Sequence, residues 1–253
     1  MRIRLTVAYD GTNYHGWQIQ KNATSIEGVL TVALGELLGE EVALAGASRT
    51  DAGVHALGNV AVFDSQTRIP PEKIAVAVNQ RLPEDIRVMK SEQVSDDFHP
   101  QYGAKCKTYE YSITNAAIQL PVKRLYSYFV YIPLDVERMR RTAESFIGEH
   151  DFGGFCSAGS QVKSTVRQIY DIKILQNGED IKIQVTGNGF LYHMVRIIAG
   201  TLIEVGMGRR EEETVLRAIR EADRRLAGPT APANGLTLLE IRYDEDKVGA
   251  VNS

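Results

Sequence analysis

Asp51 lies in Gly46-Ala47-Ser48-Arg49-Thr50-Asp51-Ala52-Gly53-Val54-His55, a turn between apolar, strand-like runs. Glycines let the backbone turn sharply and let another molecule come close. Arg49, two residues earlier, can keep the carboxylate ionised through charge and hydrogen bonds. An ionised, oriented aspartate serves as a nucleophile or a general base. The ordinary alternative for Arg-x-Asp-x-Gly is a surface β-turn whose Asp side chain bonds its own backbone.

Three further segments carry residues with chemical potential. Ala104-Lys105-Cys106-Lys107-Thr108-Tyr109-Glu110-Tyr111 alternates as a strand. Lys105, Lys107, Tyr109 and Tyr111 fall on one face of it. A basic and aromatic strand face suits RNA contact, although a shared hydrophobic face would also use the two tyrosines. Gly187-Asn188-Gly189-Phe190-Leu191-Tyr192-His193-Met194-Val195-Arg196-Ile197-Ile198-Ala199-Gly200 reads as an apolar helix holding one arginine. A charge buried there needs a partner; the alternative is an arginine that snorkels to the surface. His193 reads as a packed residue, with no companion metal ligand in sight. Near the start, Tyr9-Asp10-Gly11-Thr12-Asn13-Tyr14-His15-Gly16-Trp17-Gln18 is a glycine-rich loop with rings and an amide. Such groups suit unstacked bases or serve as buried loop anchors.

These segments resemble the motifs of the tRNA pseudouridine synthase A family. Arg49-Thr50-Asp51-Ala52-Gly53-Val54-His55-Ala56 is similar to the family's signature, in which the Asp is the catalytic nucleophile. An eight-residue match of mixed chemistry is far more specific than a glycine-spaced phosphate loop. By the same resemblance Tyr109 is the base-stacking tyrosine, and Arg196 is the arginine that pairs with the nucleophile. Ala231-Pro232-Ala233-Asn234-Gly235-Leu236-Thr237-Leu238 resembles the closing motif, with Leu236 touching the bound base. Without the resemblance Leu236 is an ordinary core leucine. Ser48 stands where the family usually has glycine, and His99-Pro100-Gln101-Tyr102-Gly103 departs from its small and basic pattern.

The elements that must position these groups read twice as strand, helix, strand, strand, helix, strand. The first half has strands over 3–9, 41–45, 59–63 and 85–94. A helix opens at Thr24 or Ser25 with a capping box to Glu27 and stops at Gly39. A second helix runs from Pro70-Pro71 to about Asn79. The second half has strands over 107–114, 166–175, 181–185 and 236–243, with a turn at Asn177-Gly178. Its helices are one capped by Asp135, a mostly buried one over 189–205, and an amphipathic one over 211–226. The expected fold class is α+β: two ferredoxin-like (βαββαβ-type) lobes. The resemblance implies that they share a mixed, mainly antiparallel sheet with a central active-site cleft. Residues 1–100 form the first lobe, 101–246 the second, and 247–253 a frayed tail.

Bulk properties agree with an ordinary globular chain of 253 residues, 43% hydrophobic and 24% charged. No run of about 18 apolar residues exists, so no membrane span is expected. The first five residues enter a strand pattern at once, which leaves no room for a signal peptide. Cys106 and Cys156 are too few for a disulfide scaffold, and no Cys/His spacing suits zinc. A cytoplasmic address follows. The net charge of −3 is low for a nucleic-acid binder, but the acids are unevenly placed, which leaves room for a local positive cleft on an acidic body.

The resemblance implies isomerisation of uridine to pseudouridine at positions 38, 39 and 40 of the tRNA anticodon stem-loop. Catalysis falls to Asp51, Arg196 and Tyr109. Substrate binding falls to Arg49, Tyr109, Leu236, Lys105 and Lys107. The reaction needs no cofactor and no metal. The expected partners are tRNA and a second copy of the chain in a homodimer. Attack of Asp51 on the sugar C1′ and removal of a sugar proton to give a glycal both remain open. The competing functions are an N-glycosidic hydrolase and a non-catalytic tRNA-binding module.

Overall fold

The computed structural model describes residues 1–159 and 162–244, so the expected tail over 247–253 lies outside the described residues. Among the described residues there are ten strands and five α-helices. In chain order they are β1 (Arg2–Tyr9), α1 (Ile26–Leu38), β2 (Ala45–Gly46), β3 (His55–Asp64), α2 (Pro71–Val78) and β4 (Ile86–Val94). Then follow β5 (Cys106–Asn115), β6 (Tyr128–Val130), α3 (Val136–Ala143), β7 (Gly148–Asp151), β8 (Val166–Asn177), β9 (Asp180–Gly187), α4 (Met194–Gly206), α5 (Glu212–Arg220) and β10 (Leu236–Arg242). The chain divides into two compact units. Among the described residues, one holds Met1–Cys106 and 238–244, and the other lies within Lys107–Thr237.

In the first unit β1 runs between β4 and β3, antiparallel to both, and β10 borders β3. The order β4-β1-β3 with β2 on β3 is the ferredoxin-like arrangement of a split βαβ. Ile3, Leu5 and Val7 alternate along β1 and are fully buried. Helix α1 supplies Ile26, Leu30, Ala33 and Leu34 to the core. Its cap is Ser25, whose hydroxyl accepts from Gly28 N, and Gly39 ends it in the left-handed region at φ 68°. The Thr24–Glu27 box does not form; the Glu27 carboxylate accepts instead from Ile19 N at 2.9 Å. The strand expected over 41–45 shrinks to the two residues of β2, which pair with Val62 and Ala61 of β3. A period of two marks extended backbone, paired or not, so Val42 is buried without joining a ladder.

In the second unit the order is β5-β9-β8-β7, all antiparallel pairs, with β6 parallel to β5. Within this unit β5, α3, β8, β9 and α4 follow the order of the βαββαβ scheme. Strands β6 and β7 were not expected: each is short, and Gly148-Glu149-His150-Asp151 has no apolar alternation to announce it. Strands β8 and β9 turn over Gly178-Glu179, one residue later than expected, with Gly178 at φ 59°. Helix α4 begins at Met194, five residues later than expected. Before it, Asn188 is tied to β8, its N–H donating to Gln168 O and its side-chain oxygen accepting from Gln168 N, both at 3.0 Å. His193 then takes φ 63° at the N-cap. Almost every residue of α4 is buried, so it offers no apolar surface to a partner. Helix α5 stops at Arg220 instead of 226, where Ala222 turns at φ 50° and Asp223 accepts from Arg225 N. No helix among the described residues is long and apolar enough to cross a membrane.

Candidate active site

In the first unit the Asp51 loop is held from both sides. The segment after β1 lies against it, with Trp17 N donating to Thr50 O at 3.0 Å and Gly53 N to Tyr14 O at 3.3 Å. This approach needs glycine twice. A Cβ on Gly11 would lie 2.0 Å from the Val54 carbonyl oxygen, and one on Gly16, itself at φ 88°, 2.6 Å from Thr50 O. Trp17 is only 1% exposed and covers Gly46, so Trp17 and Tyr14 are buried anchors of the loop. Beneath the loop, Tyr9 Oη and Thr50 Oγ1 share a hydrogen bond of 2.7 Å. Asn59 of β3 is fully buried and donates to both Tyr9 Oη and Ser48 O, at 3.2 and 3.0 Å. Ser48 is not among the residues with a left-handed φ, so serine in place of glycine brings no backbone strain there. With Ser48 and Thr50 buried beneath it, Arg49 is exposed and Asp51 half-exposed.

Asn59 thus fixes the residues on either side of Arg49. Asn59→Leu leaves the Tyr9 and Ser48 groups short of a buried donor. The expected loss is roughly 2–3 kcal/mol, read from the urea midpoint against wild type.

In the second unit Tyr109 of β5 is buried, and its ring meets Phe190 edge to face at 5.2 Å between centroids. Next along the same face, the Tyr111 hydroxyl donates to Pro232 O at 2.8 Å. Burial raises the Tyr111 pKa, so this phenol stays protonated. A Cβ on Gly235 would lie 2.7 Å from the Tyr111 ring, so the segment leading into β10 wraps that ring. Arg196 stands in the first turn of α4, half-buried, its Nε donating to Ala231 O at 2.8 Å. Ala231 N in turn donates to Arg196 O at 3.1 Å. Arg196 and the buried Leu236 are therefore set by one short stretch of chain, 231–236, moored on Tyr111. His193 packs on Tyr192 at 3.8 Å and shares a hydrogen bond of 2.9 Å with Ser157.

Lys107 is half-buried on β5, and burial pulls its ammonium down to about 8 with the Arg167 charge adding to the effect. Lys105 lies just before β5 in the first unit, exposed, and pairs with Asp244 at 2.8 Å. The sequence pattern put both lysines on one strand face, whereas only Lys107 belongs to the strand. Asn59, Thr50, Tyr9 and Phe190 carried no assigned role in the sequence. Phe190 stood inside a recognised motif, whereas the burial of Asn59 follows only from the assembled sheet. Among the described residues, no group of three or more His, Cys, Asp and Glu side chains is arranged to hold a metal.

Comparison with known proteins agrees over nearly the whole chain. Residues 5–103 and 142–244 match the model of a family described as tRNA pseudouridine synthase. A tRNA pseudouridine synthase A of Ruminiclostridium cellulolyticum is 51% identical over 243 residues, which span 96% of this chain and 99% of the relative. One from Thermoanaerobacter sp. (strain X514) is 48% identical over 241 residues, 95% of this chain and 99% of the relative. One from Acetivibrio thermocellus is 46% identical with the same coverage. The chain belongs to the tRNA pseudouridine synthase family.

Proposed function

We propose that this chain isomerises uridine to pseudouridine in tRNA, at positions 38, 39 and 40 of the anticodon stem-loop, with Asp51 as the initiating carboxylate. The observation that carries the reading is the held loop. Asp51 is half-exposed on a turn pinned by Trp17, Tyr14 and the Tyr9–Thr50–Asn59 network. A solvated surface turn has no use for such support, whereas a nucleophile must be aimed. The family of the relatives points to the same chemistry.

In the reaction the N1–C1′ bond breaks, the uracil rotates, C5 bonds to C1′, C5 loses its proton and N1 gains one. Atoms and electrons balance within the substrate. Asp51 starts the sequence by attack on C1′ or by removal of a sugar proton. Arg196 is the proposed guanidinium partner of Asp51. Tyr109, backed by Phe190, gives the base a ring to stack on and an oxygen for the C5 proton. Leu236 completes the apolar wall. Arg49 contacts phosphate and fills the space the flipped nucleotide leaves. Lys105 and Lys107 bind the RNA backbone, Lys105 by exchanging Asp244 for phosphate. The enzyme works in the cytoplasm as a homodimer.

Tyr109→Phe keeps the stacking ring and removes only the oxygen. It should bind unmodified tRNA like wild type and lose roughly 10²–10⁴-fold in kcat. Single-turnover kinetics read both quantities. A kcat within twofold of wild type would take the phenol out of the proton transfer. Analysis of the product separates isomerisation from hydrolysis, because a hydrolase releases uracil from the RNA.

A further inference from the structure

Two cations of the second unit share the sheet face that carries Tyr109. Lys107 of β5 is paired with Gly187 of β9, and Gly187 with Ile169 of β8. Arg167 precedes Ile169 by two residues and so falls on the same face. Gly187 and Gly189 place no side chains beside them. A Cβ on Gly187 would lie 3.4 Å from the Phe190 ring, and one on Gly189 3.8 Å from Arg167 Nε. Arg167 is fixed, with Nη1 donating to Ser164 O at 3.0 Å and Val166 O at 2.6 Å. Both cations are half-buried. Burial lowers the pKa of each, and the Arg167 charge lowers Lys107 further. Like charges brought together in partly dry surroundings cost the fold stability. They are also what an anion needs, because a fixed guanidinium fork beside an ammonium holds phosphate oxygens well.

We propose that Lys107 and Arg167 together hold one phosphate of the bound RNA strand, beside the ring of Tyr109. The proposal rests on the reading of the chain as a tRNA-modifying enzyme. It adds Arg167 to the binding residues, and it makes the two cations a single subsite. Held there, the backbone of the target nucleotide or its neighbour is fixed while the base meets Tyr109.

The test is the salt dependence of binding to unmodified tRNA. Each neutralised phosphate contributes about 0.7–0.9 to the slope of log K against log salt. Lys107→Gln and Arg167→Gln should each lower the slope by about that amount and weaken binding about tenfold. The double variant should do no more than either single one, because one phosphate is lost in all three. Arg167→Lys should keep the slope and lose affinity, which separates lost charge from a damaged fold. An additive double variant, or slopes equal to wild type, would overturn the shared subsite while leaving the enzyme reading intact. Wild-type protein that does not bind tRNA would overturn both. Stabilisation of wild type by inorganic phosphate at matched ionic strength, with the RNA slopes unchanged, would assign the pair to a small anion and overturn the RNA subsite.

Discussion

Asp51→Asn should abolish pseudouridine formation while leaving tRNA affinity within about threefold of wild type. The amide is nearly isosteric with the carboxylate, so the loop contacts that hold it survive. Among these contacts are backbone bonds and the bonds of Thr50, Tyr9 and Asn59. What the amide cannot do is attack carbon or accept a proton. Loss of a nucleophile costs on the order of 10⁴-fold or more in kcat. Binding energy comes chiefly from phosphate contacts spread along the RNA, so affinity should barely change. Equilibrium binding and single-turnover assays on one preparation check both halves. A variant with near-wild-type turnover would remove Asp51 from the chemistry. A variant that neither binds nor folds would show instead that the carboxylate is part of the scaffold.

Gly11→Ala should do nearly as much harm by a different route. The new methyl group would sit 2.0 Å from the Val54 carbonyl oxygen, with the Val54 carbonyl carbon at 2.7 Å. Backbone cannot swing aside as a flexible side chain can, so the 10–17 segment must leave the Asp51 loop. With it go the Trp17–Thr50 and Tyr14–Gly53 bonds, and the Gly11 N–H loses His55 Nδ1, now accepting it at 3.1 Å. The expected loss is roughly 3 kcal/mol or more, a fall in Tm of roughly 10 °C for a chain of this size. Activity should fall further than the folded fraction, because the Asp51 loop is no longer held. Gly39→Ala is the control. Gly39 has φ 68° with nothing within 4 Å of a Cβ, so alanine meets only conformational strain. That costs about 1 kcal/mol and should leave kcat unchanged. A Gly11→Ala protein with normal Tm and normal kcat would mean that the clamp around Asp51 is dispensable.

The two-lobe α+β plan and the chemistry-bearing loop were legible because they rest on local signals. The alternation of Ile3, Leu5 and Val7 marks β1, and Pro71 marks the start of α2 without needing a partner in space. The misread boundaries share a cause. Helix α4 was extended backward because Gly189–His193 is apolar enough to continue the pattern. Only the Asn188–Gln168 bonds and the left-handed His193 show where the chain turns. Strand β7 escaped notice because its pairing with β8 is made by backbone, and backbone bonds leave no trace in residue type. The support of the site was less readable still. Asn59 inside β3 looks like a polar residue on an exposed face until the sheet buries it beneath Thr50 and Ser48. Arg167 looks like one more surface charge until the register of β5, β9 and β8 brings it to Lys107. Distant neighbours decide these features, and sequence spacing does not encode distant neighbours.

The central claim, that a carboxylate at position 51 starts a uridine isomerisation in tRNA, is tested most directly by mapping pseudouridine base by base in an unmodified tRNA transcript after incubation with wild-type protein and with Asp51→Asn. The account predicts pseudouridine at positions 38, 39 and 40 with wild type, no uracil set loose, and none of the modified base with the variant. Equal maps from the two proteins, or released uracil in place of pseudouridine, would contradict it.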